Sequence, residues 1–231
     1  MSRGSFARSR RPANPNLPIY ILLVGMAALI VAVLLILPGL SSGGGTIIPT
    51  PLPRPASNDS TLGDPAAPVR VEEFSDFQCP YCRRFFQEVE PQLIPAYVES
   101  GKVYFVYRHF PILGAPSARA GEASLCAREQ GLFWPYHDVL FLNQDETNPQ
   151  SFSQARLLEF AKGIGADSSE FSTCVDDRRY AGEVQADAQA ALSAGMNSTP
   201  SFMINGRSLV GLVSYEEFSR IIDEALSSTA P

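Results

Sequence analysis

The chain has 231 residues, 45% of them hydrophobic and 18% charged. That composition suits one folded domain with attachments and excludes wholesale disorder or a coiled-coil rod; four cysteines are too few for a disulfide-dense mini-scaffold. A formal net charge of −6, from 18 Lys+Arg against 24 Asp+Glu, excludes a general nucleic-acid binder, because phosphate contacts need a basic face.

The charge is divided along the chain. No acid precedes Asp59, while Arg3, Arg8, Arg10, Arg11 and Arg54 all do; residues 55–231 hold 13 bases against 24 acids. Residues 1–18 form a short basic tail. Residues 19–37 carry no charge, and at ~1.5 Å per residue such a helix covers about 28 Å, close to the hydrocarbon core of a bilayer. This predicts one N-terminal transmembrane helix, stopped by Pro38-Gly39. Arginines before the run put the N-terminus in the cytoplasm and the acidic body outside. The competing reading is a cleaved secretory signal, whose apolar stretch is shorter and ends at a small-x-small site. Residues 38–58 are rich in Ser, Gly and Pro and read as a spacer with no further role.

The body, residues 59–231, begins with an alternating β-forming stretch over 68–74. A helix is expected from Cys79-Pro80, since proline suits the first turn, with Phe85, Phe86, Val89 and Leu93 on one face and Pro91 and Pro95 kinking or fragmenting it. A second strand spans 102–110. Helical pieces follow at 117–130, 133–143, 151–163, 168–177 and 180–194. A short strand at 201–204, an Asn205-Gly206 turn and a strand at 207–210 form a hairpin. Ser214 to Glu217 is a capping box that opens a last helix to about residue 226.

Cys79-Pro80-Tyr81-Cys82 carries the chemistry. Thiolates, not thiols, attack disulfides, so a redox cysteine needs a lowered pKa. A helix N-terminus supplies N–H donors and partial positive charge at Cys79. Cys82 lies one turn on, within reach and in a more buried position, so the pair suits thiol–disulfide exchange. Half a zinc site and a purely structural disulfide are the alternatives. A metal is not expected, because there is no second C-x-x-C and the histidines are only His109 and His137. Both histidines read as packing or solvent-facing residues rather than as general bases.

The stretch from Phe74 to Cys82, Phe-Ser-Asp-Phe-Gln-Cys-Pro-Tyr-Cys, resembles the active-site region of DsbA-like thiol–disulfide oxidoreductases of the thioredoxin superfamily. Gly63-Asp64-Pro65 with Pro68-Val69, Tyr107 to Pro111, Gln130 to Trp134, His137-Asp138, Thr199 to Phe202 and Asn205 to Arg207 extend the likeness over about residues 60–227. The resemblance implies an α/β fold, thioredoxin-like, with a helical insertion at about 115–195. It implies Cys79 as nucleophile and Cys82 as resolving thiol. It also implies a cis peptide before Pro200, with the Thr199 backbone open to an extended substrate. Glu73 matches an acid beneath the cysteine pair; strand alternation sends either Glu72 or Glu73 inward. Pro80 and Tyr81 match the dipeptide that tunes redox poise, although Tyr81 departs from the histidine of many oxidising members. Asp76 is typical of a subgroup but has no assigned chemistry. Some members bridge the helical domain, and Cys126 and Cys174 are expected to form such a structural disulfide, with two buried free thiols as the alternative.

The reading is an extracytoplasmic, membrane-anchored enzyme that forms disulfides in exported proteins and needs no cofactor. Its partners are client proteins with cysteines and, by family inference, a DsbB-like or VKOR-like membrane reoxidant. The alternatives are a tethered reductase or isomerase, since potential sets direction, and a non-catalytic peptide-binding module on the same fold.

Overall fold

The computed structural model describes residues 19, 22–26, 28, 29, 46–48, 50, 54, 55, 59–145, 148 and 150–229. The chain forms two units, Met1–Gly45 and Thr46–Pro231. The basic tail at 1–18 lies outside the described residues. Of the predicted anchor at 19–37, residues 19, 22–26, 28 and 29 are described and helical. No helix among the described residues is long and apolar enough to cross a membrane.

The second unit is built on a five-stranded sheet: β1 (Thr61–Leu62), β2 (Val69–Ser75), β3 (Val103–His109), β4 (Ser201–Ile204) and β5 (Arg207–Val210), in the order β1-β3-β2-β4-β5. β2 and β3 are parallel, and the other pairings are antiparallel. Alternation along the strands decides which side chains face which layer. In register, Glu73 sits between Tyr107 of β3 and Phe202 of β4. Val69, Val71, Val103 and Phe105 share the face of Glu73, and all are buried.

That face is covered by a helical stretch after β2. It starts as α1 (Pro80–Arg84), widens to π turns at Phe85–Val89, returns to α geometry as α2 (Glu90–Leu93) and widens again at Ile94–Val98. Pro91 and Pro95 were expected to kink or fragment this stretch; it gives up regular α geometry there but stays helical to Val98. A helical proline lacks an N–H and crowds the carbonyl four residues back. The wide turns, with Glu90 N–H on Phe85 O and Glu99 N–H on Ile94 O, let the helix run on past both prolines.

The opposite face packs on α7 (Ala181–Ser193), where Phe74 and Phe110 meet Ala191 and Met196. The insertion runs through α3 (Ala115–Arg128), α4 (Phe133–Leu142), α5 (Gln154–Gly163), α6 (Ser168–Asp176) and α7. Asp167 caps α6, its carboxylate accepting from the N–H groups of Ser169 and Glu170 at 2.9 Å. Cys126 of α3 and Cys174 of α6 are disulfide-bonded, 48 residues apart in sequence.

The hairpin turns at Asn205 and Gly206, both at positive φ (45° and 83°), the combination that suits a two-residue turn. The Asn205 side chain also accepts from Arg70 N–H at 2.8 Å and donates to Pro68 O at 3.1 Å, tying the hairpin to the start of β2. α8 (Tyr215–Thr229) closes the unit: Phe85, Phe202 and Phe218 meet with ring centroids 4.7–5.6 Å apart. β1 was not expected from the sequence; it pairs with β3 over two residues, Thr61 with Val106 and Leu62 with Phe105.

Within the stretch read as a spacer, residues 46–48, 50, 54 and 55 are described. Ile47 N–H donates to the Asn143 side chain at 2.7 Å, and the Asn143 amide donates back to Ile47 O at 2.7 Å. Arg54 is buried, with an exposed fraction of 7% in its side chain. The contacts come from side chains of α2 and of the insertion, a source that the local Ser, Gly and Pro content does not reveal.

Candidate active site

The turn between β2 and α1 presents the cysteine pair. Cys79 N–H donates to Asp76 O at 2.9 Å, and Arg83 N–H donates to Cys79 O at 3.1 Å, so Cys79 stands at the helix entrance. Both sulfurs are unbonded thiols. Cys79 keeps an exposure of 5% and Cys82 none, so an incoming group reaches the pair through Cys79.

The surroundings split the two thiols electrostatically. The Cys79 thiol falls from its ordinary value near 9 to about 6. The main cause is a hydrogen bond from Cys82; Thr199 and the N–H groups of Cys82 and Tyr81 add to it and outweigh burial. Cys82 moves well upward, chiefly because it is buried and because it donates to Cys79. Asp76 N–H approaches the Cys82 sulfur at 3.5 Å. The arrangement holds one anionic sulfur beside a protonated one.

Across the turn, Thr199-Pro200 is a cis peptide. When Cys79 carries its proton, the thiol donates to Thr199 O at 3.3 Å. Pro200 O accepts from Gly211 N–H at 2.9 Å, which fixes the loop against the far side of the hairpin. Tyr81 is 55% exposed and lines a groove of about 480 Å³ with Arg84, Thr199, Leu212 and Val213.

Glu73 points inward and is buried, and its Oε2 has no hydrogen-bond partner among the described residues. Burial, followed by the negative charge of Glu90, raises its pKa well above the carboxylate range. Glu72 faces the other way and pairs with Arg70 and Arg108, each at 2.9 Å. Asp76 braces the turn: its carboxylate accepts from Gln78 N–H at 2.8 Å and Leu113 N–H at 2.9 Å. Burial raises Asp76 despite these bonds.

The structure thus brings Cys79, Pro80, Tyr81, Cys82, Glu73, Thr199 and Pro200 together around one turn, and places Cys126 and Cys174 in the insertion. His109 and His137 are both buried, which removes the solvent-facing option. Burial, with Arg128 adding, pushes His109 down to about 3 and leaves it neutral. His137 stacks edge-on against Tyr107 at 5.1 Å and Phe141 at 4.9 Å. Sequence reasoning did not find Gln144. Its side-chain amide donates to Phe77 O at 2.7 Å and Cys79 O at 3.0 Å, and its backbone carbonyl accepts from Arg83 at 2.9 Å. No local pattern marks a glutamine just past a helix end as a clamp on a distant turn.

A sequence profile of the family described as Thioredoxin matches residues 56–224. The chain belongs to the thioredoxin family. It is a DsbA-like member. The oxidised crystal structure of BdbD from Bacillus subtilis superposes with a TM-score of 0.68 at 25% identity, over 75% of this chain and 96% of BdbD. The probable disulfide bond formation protein D of Bacillus anthracis is 29% identical over 175 residues, covering 74% of this chain and 79% of that protein. A Na(+)/H(+) antiporter, NhaA 3 of Salinispora tropica, is 37% identical over 184 residues, which is 79% of this chain but 27% of the antiporter. This chain therefore spans only about a quarter of the length of its antiporter relatives.

Proposed function

We propose that the chain is an extracytoplasmic thiol–disulfide oxidoreductase that introduces disulfides into exported proteins through Cys79 and Cys82. The observation that carries the reading is the Cys79 thiol, drawn down to about 6 at the start of α1, beside a Cys82 thiol drawn upward. A sulfur that is stable as an anion stabilises the reduced pair and is a good leaving group when the mixed disulfide is resolved, so the Cys79–Cys82 disulfide is readily reduced by clients.

The cycle starts from that disulfide. A client thiolate attacks Cys79 Sγ; the Cys79–Cys82 bond breaks, and Cys82 leaves with the electron pair and takes a proton. A second client thiolate attacks the client sulfur of the mixed disulfide and expels Cys79 as thiolate. Two client thiols have become a disulfide, and the pair is reduced by two electrons. A quinone-linked membrane oxidase of DsbB-like or VKOR-like type then returns the pair to the disulfide.

The other residues take supporting roles. The Thr199 backbone beside cis-Pro200 aligns an extended client. Tyr81 and the groove beside it receive the client's side chains. Pro80 starts the helix whose N–H groups hold the Cys79 anion, and Glu73 acts as a proton reservoir beneath Cys82. Cys126–Cys174 staples the insertion. Residues 19–37 anchor the enzyme in the membrane, with residues 1–18 in the cytoplasm. The relative that is named an ion antiporter supports a domain working beside a membrane.

The same residues serve a tethered reductase or isomerase if the potential is low, and a binding module would use the groove without turnover. The test is Cys82→Ala in the producing cell. Client adducts linked through Cys79, visible on non-reducing gels and absent from Cys79→Ser, are expected. A variant that traps nothing would overturn the exchange mechanism. Pair potential then separates the directions: near −120 mV marks a disulfide donor and near −270 mV a reductant, on the scale of known exchange proteins (about these values).

A further inference from the structure

Behind the redox turn lies a buried polar centre that the cycle above does not use. Glu90 of α2 and Asp138 of α4 both point into it, with side chains 3% and 1% exposed. Arg54, which precedes the domain's first strand, inserts its guanidinium between them. It reaches Glu90 Oε1 at 2.5 Å and Asp138 Oδ2 at 2.7 Å, and it lies over the Trp134 ring at 4.9 Å. His137 completes the centre, with Nδ1 3.0 Å from Asp138 Oδ1 and Nε2 4.0 Å from Glu90 Oε2.

An ion pair this buried is costly to break, since removing one partner leaves the other's charge unscreened in a low-dielectric setting. The centre is also continuous with the redox site. The His137 ring meets Phe77, two residues before Cys79, at 5.8 Å and Tyr107, the strand neighbour of Glu73, at 5.1 Å. Glu90 Oε2 and Glu73 Oε2 are both buried, and neither has a hydrogen-bond partner among the described residues.

We propose that Arg54 is a positioning residue of the redox centre: by neutralising Glu90 and Asp138 from the segment before the domain, it limits the negative charge that Glu73 and the cysteine pair experience. The groups facing this centre are Glu73 of β2, Tyr107 and His109 of β3, Glu90 of α2, and His137 and Asp138 of α4. Glu90 is the largest charge acting on Glu73, and Glu73 in turn acts on Cys82. Arg54 itself is held charged, its two carboxylates outweighing the effect of burial. The proposal rests on the redox reading of Cys79 and Cys82, and it turns a segment with the composition of a spacer into part of the site.

The test is the pH profile of iodoacetamide alkylation of Cys79 in the reduced full-length chain, with thermal melting measured alongside. Arg54→Gln takes the guanidinium away from Glu90, so the midpoint is expected to rise by about half a pH unit, which is a loss of about threefold in alkylation rate at pH 5. Arg54→Lys, which keeps the charge, is expected to restore most of the loss. Glu90→Gln removes the negative charge and is expected to move the midpoint the other way; it decides the matter if Arg54→Gln does not fold. Midpoints that stay in place while melting temperatures fall would overturn the proposal and leave Arg54 a structural plug. That result would not touch the redox reading, which stands or falls on the adducts trapped by Cys82→Ala.

Discussion

The Cys79 sulfur lies 3.3 Å from the backbone carbonyl of Thr199, the residue joined to Pro200 by a cis peptide. Two segments 120 residues apart therefore meet at the reacting atom. One supplies a sulfur and the other the Thr199 carbonyl; on the proposed function, a client that pairs with the Thr199 backbone has its own sulfur delivered to Cys79. With the Cys79 thiol at about 6, alkylation of the reduced protein is expected to reach half its plateau near pH 6 and to be about tenfold below plateau at pH 5. Cys82 should stay unmodified throughout. A midpoint near 9 in a folded sample would remove the electrostatic basis of the mechanism.

The same depression makes reduced-state stability depend on pH. The unfolded thiol, near 9, binds a proton across a range where the folded thiol, near 6, has released it. Folding therefore gains from the Cys79 anion above pH 9 and loses that gain as pH falls through 6. Denaturant titrations of the reduced chain should show the wild type gaining on Cys79→Ala between pH 6 and 9. Parallel curves for the two proteins would contradict this.

Glu73 has the opposite sign. Its pKa is raised by burial and by Glu90, so the folded state keeps a proton that the unfolded state loses near 4.5. Its contribution is full below that value and declines as pH rises toward the folded value. Glu73→Gln cannot ionise and should become progressively more stable relative to the wild type above about pH 4.5. Equilibrium unfolding at four or five pH values would detect the trend.

His109 sets an acid limit. Held neutral down to about 3, it obliges the unfolded chain to bind a proton that the folded chain refuses between 6.5 and 3. Stability should fall with decreasing pH in that window, by up to ~1.4 kcal/mol per pH unit from this one group. His109→Gln should flatten the slope, whatever its effect on absolute stability. An unchanged slope would assign the acid sensitivity to other groups.

The bridge in the insertion should matter for folding and not for exchange. Linking Cys126 and Cys174 closes 48 residues, worth about 4 kcal/mol in the loop-entropy view. The double variant Cys126→Ala/Cys174→Ala should lose stability on that scale, while Cys79 keeps its alkylation midpoint. A shifted midpoint would mean that the insertion's packing reaches the redox turn.

Much of this architecture was legible because local signals agreed with the tertiary fold. Asn205-Gly206 between two apolar runs placed β4 and β5 to the residue, and Pro80 placed the start of α1. Alternation sends Glu72 and Glu73 to opposite faces, so that one of them meets water, and the family match selected Glu73 as the inner one. Other features have no local signal. A two-residue strand such as β1 is too short for periodicity, and five-residue π turns at Phe85 and Ile94 cannot be told from α turns by spacing. Gln144 and Arg54 act over long sequence distances, Gln144 on Phe77 and Cys79, Arg54 on Glu90 and Asp138. Their partners are visible only once the helices have packed.

The bond between Cys126 and Cys174 has one more implication. Every new copy carries two thiols that must be oxidised before α3 and α6 are locked together. On the proposed activity, finished copies can perform that oxidation on nascent ones. The population would then mature autocatalytically: a few seeded molecules hasten the ripening of the rest, and a cell starved of electron acceptors would accumulate a slack, immature pool.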